Sequence, residues 1–247
     1  MKKILIIQSR VTPSTALSER REYANAVKSG AELTFVSSLD TALPWNTPQE
    51  LLGEHNAVIF AGSGDFDFDG GRAEDDEARI ASHAIARRMG RLVHHVLEKN
   101  FPTLGVCYGH QIIAEVVGVP VVHDPLQRKR GSFDISLTEA GRRDVIFSDF
   151  PDIFAAQYGH KDSVSEIPKE AVLLGESTQC KASAFRYGKN IYTTQFHPEL
   201  THDDLARRLQ NSPGYLPEGV SVESMVRPSF EASTIIPKFI ERIVCEG

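Results

Sequence analysis

The 247-residue sequence predicts an α/β fold. A mostly parallel central sheet carries helices on both faces, and a small antiparallel β portion follows in the second half. Three observations predict it. Short apolar runs alternate with helix-period segments through the first half. The second half changes to closely spaced strand-like runs with no long helices between them. Glycines and polar turn residues stand where many of these runs end.

The elements follow in order. KILIIQ (3–8), ELTFV (32–36), AVIFA (57–61) and PTLGV (102–106) are rich in Ile, Val and Leu, the pattern of strands buried on both sides. The apolar part of the first, Ile4 to Ile7, is too short for a signal peptide and meets Gln8 and Arg10 at once, so it reads as a strand. A helix is expected over 18–29, stopped by Gly30. A second starts at Thr47, where TPQE puts Pro48 at the first helical position and Glu50 at the third, a capping-box pattern. A third covers 73–99, with Gly90 as its weak point. Residues 132–137 alternate apolar and polar, as a half-buried strand does. IFAAQ, AVLLGE, ASAFRY and NIYTTQF follow, with Tyr187-Gly188-Lys189-Asn190 as a hairpin turn between the last two. Residues 201–210 read as a helix with Thr201 near its N-cap, and 211–232 as a Pro- and Gly-rich connection. The final helix, 234–245, requires Pro237 in its first turn, where a missing N–H is no loss. No repeat or linker divides the chain, so one domain over 1–247 is expected, with 206–247 as a C-terminal extension.

Composition narrows the function. Thirty-three acids against 27 Lys and Arg leave a net charge of -6, which argues against a nucleic-acid surface. No apolar stretch reaches the length of a membrane span. Cys107, Cys180 and Cys245 are odd in number and widely spaced, against a disulfide framework or a cysteine-rich zinc site. A reducing, cytoplasmic setting is expected.

One cysteine stands apart. TLGVCYGHQIIAEVVG follows a strand and opens a helix, the context of a nucleophile elbow. A sharp strand-to-helix turn puts Gly105 and Gly109 where a Cβ would strike neighbouring backbone. At the helix N-terminus Cys107 meets unpaired N–H groups and the positive end of the dipole, both favouring thiolate. This stretch alone leaves a buried structural cysteine equally open. A partner base comes from TTQFHPEL: His197 and Glu199 are two apart, so in an extended segment both point the same way. A carboxylate there can fix the imidazole tautomer and stabilise its cation. A surface ion pair, or a metal site spaced as His197, Glu199 and His202, are the competing readings of that segment.

GVCYGHQ and QFHPEL together resemble the class I (triad) glutamine amidotransferase family, over about residues 3–205. FAGSGDF (60–66), HKDSVSEIP (160–168) and GESTQCKASAF (175–185) resemble further segments of it. The resemblance implies a flavodoxin-like sheet and no cofactor. It also implies hydrolysis of glutamine, or of another γ-glutamyl compound, by Cys107, His197 and Glu199. The Gly62 and Tyr108 N–H groups would stabilise the oxyanion, and Gln111 would contact the substrate's amino-acid end. His160 and Lys161 fall in the stretch beside the glutamyl group, where Lys161 replaces the family's glycine. It is expected either to engage a carboxylate or to point to solvent. After the glycine loop comes an acidic insertion, GDFDFDGGRAEDDEAR (64–79), expected to be a mobile lid or partner-docking loop, with an imperfect EF-hand likeness. No G-x-x-x-x-G-K-[ST] phosphate loop is present. Ammonia is therefore expected to pass to a separate synthase subunit. Otherwise the chain acts alone as a hydrolase, including on γ-glutamyl peptides, or serves as an idle partner-binding protein.

Overall fold

The computed structural model describes residues 1–28, 30–210 and 220–245. Nine strands form its main sheet. In spatial order the first five are parallel: β2 (Ala31–Ser37), β1 (Lys2–Gln8), β3 (Ala57–Phe60), β4 (Thr103–Val106) and β11 (Ile191–Thr194). The 2-1-3-4 order is that of flavodoxin-like sheets. The antiparallel portion extends the same sheet through β10 (Cys180–Tyr187), β9 (Ala171–Ser177), β6 (Lys129–Leu137) and β7 (Ile153–His160). A separate ribbon pairs β5 (Val121–His123) with β8 (Asp162–Val164).

Alternation along the buried strands divides the core between the two faces. Ile4, Ile6, Ala57 and Ile59 face one layer, built with Tyr23 and Val27 of α1 (Pro13–Val27). Leu5, Ile7, Val58 and Phe60 face the other, built from α2 (Pro48–Leu52), α3 (Glu77–Lys99) and α4 (Tyr108–Val116). On the antiparallel half, the short helix α5 (Glu139–Arg142) packs on β9 and α7 (Val222–Met225) on β6. The C-terminal segment joins the first layer through Ile235, Ile236 and Phe239 of α8 (Ile235–Phe239) and a following π turn, Ile240–Cys245. Pro237 lies in the first turn of α8, as its missing N–H requires.

Two boundaries and one cap differ from the sequence reading. Helix α1 begins at Pro13, five residues earlier than expected, because Pro13 occupies its first turn after Thr12. Its predicted end, Ser29, lies outside the described residues, as does 211–219 of the expected connection. Helix α3 begins at Glu77 rather than 73, since the Asp76 carboxylate accepts the Ala78 and Arg79 N–H groups and caps it there. The capping box expected at Thr47 does not form: its hydroxyl donates to Glu50 Oε2 (2.9 Å) and accepts no helix N–H. A box forms instead before α6 (His202–Gln210). The Asp204 N–H donates to Thr201 Oγ1 (3.2 Å) and the Thr201 N–H to Asp204 Oδ2 (3.1 Å).

The hairpin turn at 187–190 is present, and Asn100 holds it. Its side-chain oxygen accepts the Lys189 and Asn190 N–H groups at 3.0 and 3.1 Å. Among the described residues no helix is long and apolar enough to cross a membrane.

Candidate active site

Strands β1, β3, β4 and β11 are parallel neighbours, so the segments leaving their carboxyl ends meet along one edge of the sheet. That edge receives residues 61–65, Cys107 and 195–199. Topology thus unites motifs ninety residues apart, where open α/β sheets hold their ligands.

Cys107 sits between β4 and α4 with φ 49° and ψ −97°, a left-handed backbone that a side-chain-bearing residue adopts only under constraint. Its N–H donates to the Thr194 carbonyl at 2.7 Å, and its own carbonyl accepts the Gln111 N–H at 3.1 Å. The flanking glycines are sterically required. A Cβ on Gly109 would lie 2.1 Å from the Phe60 carbonyl oxygen; one on Gly105 would meet Ile113 Cδ1 at 2.8 Å and the Gly109 carbonyl at 3.0 Å. The strained elbow therefore exists only because both neighbours lack a side chain. The other cysteines are placed differently: Cys180 is buried, which pushes its thiol up to about 11, and Cys245 is exposed.

His197 and Glu199 are both buried, and His197 Nδ1–H donates to Glu199 Oε1 at 2.7 Å. That bond directs the other ring nitrogen, Nε2, away from the carboxylate. Burial opposes the imidazolium charge. Glu199 and the Cys107 sulfur, which the ring also contacts, outweigh burial and push His197 up to about 10. Glu199 is held below the usual carboxylate range: burial works against its charge, but His197 and Arg208 prevail. Gly62 closes the group, because a Cβ there would lie 2.9 Å from His197 Cε1 and 3.7 Å from Cys107 Cβ. Tyr108 follows Cys107 and opens α4, so its N–H has no intrahelical acceptor. The five residues Cys107, His197, Glu199, Gly62 and Tyr108 are thus brought together. His202 is not, since its ring pairs with the Asp203 carboxylate on the surface (2.7 Å).

The remaining expected residues, Gln111, His160 and Lys161, are each held by other groups of the chain. Gln111 is buried and its amide donates to the Asp162 carbonyl (2.8 Å) and to Gln195 Oε1 (3.3 Å), so it braces the site from within. His160 donates Nδ1–H to the same carbonyl at 2.9 Å, and burial depresses it to about 3, keeping the ring neutral. Lys161 neither reaches into solvent nor stands apart: Nζ lies 3.0 Å from Asp67 Oδ2. The carboxylate it engages belongs to the acidic insertion of the chain itself.

The first half of the insertion packs against the site. Phe66 and Phe68 are buried, with Phe68 stacked on Tyr108 at 5.5 Å and edge-on to His83 at 5.4 Å. Asp67 binds Arg72 (2.7 Å) as well as Lys161. The Asp69 and Gly70 N–H groups donate to the Asp162 carboxylate at 2.9 and 2.6 Å. Asp67 and Asp69 face Arg72, Lys161 and Arg79 while Phe66 and Phe68 beside them face the core, so a period-two pattern was hidden inside an apparently solvated run.

Two groups escaped the sequence reading. Gln195, fully buried, donates from Nε2 to Cys107 Sγ at 3.6 Å. The alternation that selected His197 and Glu199 reaches it when carried two residues back. The second is a cluster behind the site, where Arg10 binds Glu19 and Arg208 binds Glu22. Nothing local in the sequence marks it, because these residues lie on separate elements.

A model of the family described as glutamine amidotransferase class-I matches residues 42–212. The glutamine-hydrolyzing GMP synthase of Borreliella burgdorferi is 34% identical over 114 residues, 46% of this chain and 22% of the relative. A subunit of the glutamine-hydrolyzing GMP synthase of Methanopyrus kandleri is 35% identical over 100 residues, 40% of this chain and 52% of the relative. The matches therefore span about a fifth to a half of those relatives. Among solved structures, a glutamine amidotransferase from Thermotoga maritima superposes with a TM-score of 0.71 at 18% identity, covering 99% of this chain and 98% of that one. A glutamine amido transferase from Methylobacillus flagellatus gives 0.68 at 15% identity, covering 98% and 96%. At such identities the superpositions speak for the fold, and the family match over most of the chain speaks for its descent: the chain belongs to the class I glutamine amidotransferase family.

Proposed function

We propose that the protein hydrolyses the side-chain amide of glutamine, releasing ammonia through a γ-glutamyl thioester. The observation that carries this reading is the placement of one buried imidazole between Glu199, at 2.7 Å, and the sulfur of a strained elbow cysteine. The imidazole beside that sulfur is the base that can hold its proton while the sulfur acts as nucleophile. The thiolate adds to the amide carbon, and negative charge moves onto the carbonyl oxygen. The Gly62 and Tyr108 N–H groups are the donors that receive it. His197 then gives its Nε2 proton to the departing nitrogen, the C–N bond breaks, and ammonia leaves. In the second half His197 takes a proton from water, which attacks the thioester and frees glutamate and the thiolate. Glu199 orients the ring throughout.

Relatives named as single subunits of a GMP synthase support the further reading that ammonia passes to a separate synthase subunit. The test is release of ammonia and glutamate from glutamine by the protein and by Cys107→Ser. Turnover lost in the variant with the fold intact supports the assignment; equal turnover in both refutes it. Absence of turnover by the unsubstituted protein, alone or with γ-glutamyl dipeptides, leaves a partner-binding role in its place.

A further inference from the structure

Two polar atoms on the inner side of the triad, the Tyr23 hydroxyl and Glu199 Oε2, have no hydrogen-bond partner among the described residues. Both lie deep, with Tyr23 0% and Glu199 3% exposed. We propose that Tyr23 is a positioning residue for the triad: its hydroxyl donates to Glu199 Oε2, directly or through one buried water, and holds the carboxylate so that Oε1 faces His197. This role rests on the triad reading above and adds a side chain to it.

Placement favours the pair. Tyr23 lies on α1, one turn beyond Glu19, and packs in the same layer as Ala61, Cys107 and Phe196. Helix α6 starts soon after Glu199 and returns to α1 through Arg208, which binds Glu22. Burial, and after it the charge of Glu199, lifts the Tyr23 phenol well above its ordinary value, and Glu19 acts less. A carboxylate that outweighs one a single turn away on the same helix lies close to the phenol oxygen.

The neighbouring carboxylates are already matched. Glu19 Oε1 accepts from Arg10 Nε and Nη2, and its Oε2 accepts from the Gln8 amide at 2.8 Å. Both Glu22 oxygens accept from Arg208, and Oε1 also from the Ser18 hydroxyl. Glu199 Oε1 accepts the His197 N–H. Arg208 supports the Glu199 charge without a hydrogen bond to Oε2. Among the described residues, Glu199 Oε2 is thus the one buried carboxylate oxygen without a donor. A buried hydroxyl and a buried carboxylate oxygen are each unfavourable when unmatched, and one bond between them relieves both. That bond stabilises the anion and stops it turning, and the fixed carboxylate in turn orients the ring whose Nε2 moves the proton.

The test is Tyr23→Phe in the intact protein, which removes one oxygen, keeps the ring and breaks no hydrogen bond among the described residues. For glutamine, kcat should fall about 10-fold, the worth of a hydrogen bond to a charged group, with KM within about twofold because Tyr23 acts through Glu199. Stability supplies a second readout. Without the donor the lowered Glu199 value moves back up by about one unit, and the stability lost with it is present only while Glu199 is charged. The urea midpoint of the variant should therefore lie below that of the unsubstituted protein at neutral pH. The gap should narrow as pH falls through the Glu199 value. A hydroxyl that merely fills core space gives the opposite: no gap, or one that is constant with pH. Either of those, or a kcat within about twofold of the original, overturns the assignment while glutamine hydrolysis stands. Absence of glutamine hydrolysis by the unsubstituted protein overturns the triad reading, and the role of Tyr23 with it.

Discussion

Gln195 Nε2 donates to Cys107 Sγ across 3.6 Å, from a side chain with no solvent exposure whose oxygen accepts from Gln111. The sulfur is thus flanked by an imidazole on one side and an amide N–H on the other. A donor aimed at sulfur stabilises the anion more than the neutral thiol. Replacing Gln195 with Met keeps the volume and removes the donor. A fall of roughly 10- to 100-fold in kcat/KM is expected, the range of a hydrogen bond to a charged group. The rate of alkylation by iodoacetamide at neutral pH should fall with it. Unchanged alkylation in a folded variant would show that the amide only fills space.

His197 is pushed up to about 10 against the cost of burial, chiefly by Glu199. A histidine raised in the folded state above its ordinary value of about 6.5 adds stability fully below that value. The contribution fades as pH rises through the folded value. Glu199, lowered, adds stability above its ordinary value and loses it as pH falls through the lowered one. The urea midpoint should therefore decline between pH 7 and 10, and Glu199→Gln should flatten that decline. In the same variant turnover should fall by about 10²–10⁴, since the ring loses both orientation and charge support. A pH-independent midpoint in the unsubstituted protein would contradict the charged form.

Gly62→Ala tests the oxyanion side. The new Cβ would stand 2.9 Å from His197 Cε1, close enough to displace the ring or the loop from its place beside the sulfur. A loss of about 10²–10³ in kcat is expected, the magnitude of one missing oxyanion donor. Circular dichroism should be unaltered. Wild-type kcat in this variant would remove Gly62 from the site.

Gly109→Ala tests the elbow instead. Its Cβ would meet the Phe60 carbonyl at 2.1 Å, and a backbone group cannot swing aside as a side chain does. Overpacking of this kind costs about 1–3 kcal/mol or more. The melting temperature should drop by at least roughly 2–4 °C, at about that shift per kcal/mol for a chain of this size. An unshifted melting curve would mean that the helix and strand move apart freely.

Phe68→Ala separates a packed cap from a loose lid. Phe68 is 1% exposed and stacked on Tyr108, so truncation should cost about 3–5 kcal/mol. That predicts a fall of roughly 6–12 °C or more in melting temperature. A fall under about 2 °C would return the insertion to the class of mobile loops.

Much of this was legible in the chain. Apolar runs of strand length gave β1, β3 and β4, because a strand buried on both faces has no polar side to show. β2 is a strand too but not buried on both sides as expected, since it lies at the sheet edge and exposes Glu32 and Thr34. Gly105 and Gly109 around Cys107 were readable as steric requirements of a turn, and the i, i+2 spacing of His197 and Glu199 as a shared direction. Boundaries were read less well. Thr201 caps α6 as its position suggested, but Asp76 rather than the segment from 73 starts α3 and Thr47 does not cap, since a cap depends on the backbone angle at which the chain enters the helix. The burial of Phe66 and Phe68 in the insertion was not legible either, because the acids around them mark the segment as solvated.

The sequence by itself determined the alternation of elements, the strained cysteine and the same-side pair of imidazole and carboxylate, for each is written in neighbouring residues and local sterics. Only the tertiary structure decided that β4 and β11 lie side by side, so that Cys107, Gln195 and His197 share one buried space. The pairings of Lys161 with Asp67 and of Arg208 with Glu22 were decided there too. The physical reason is common to all of them: strand order and register bring together groups far apart in the chain, and their energies depend on distances of a few ångströms that no linear spacing specifies.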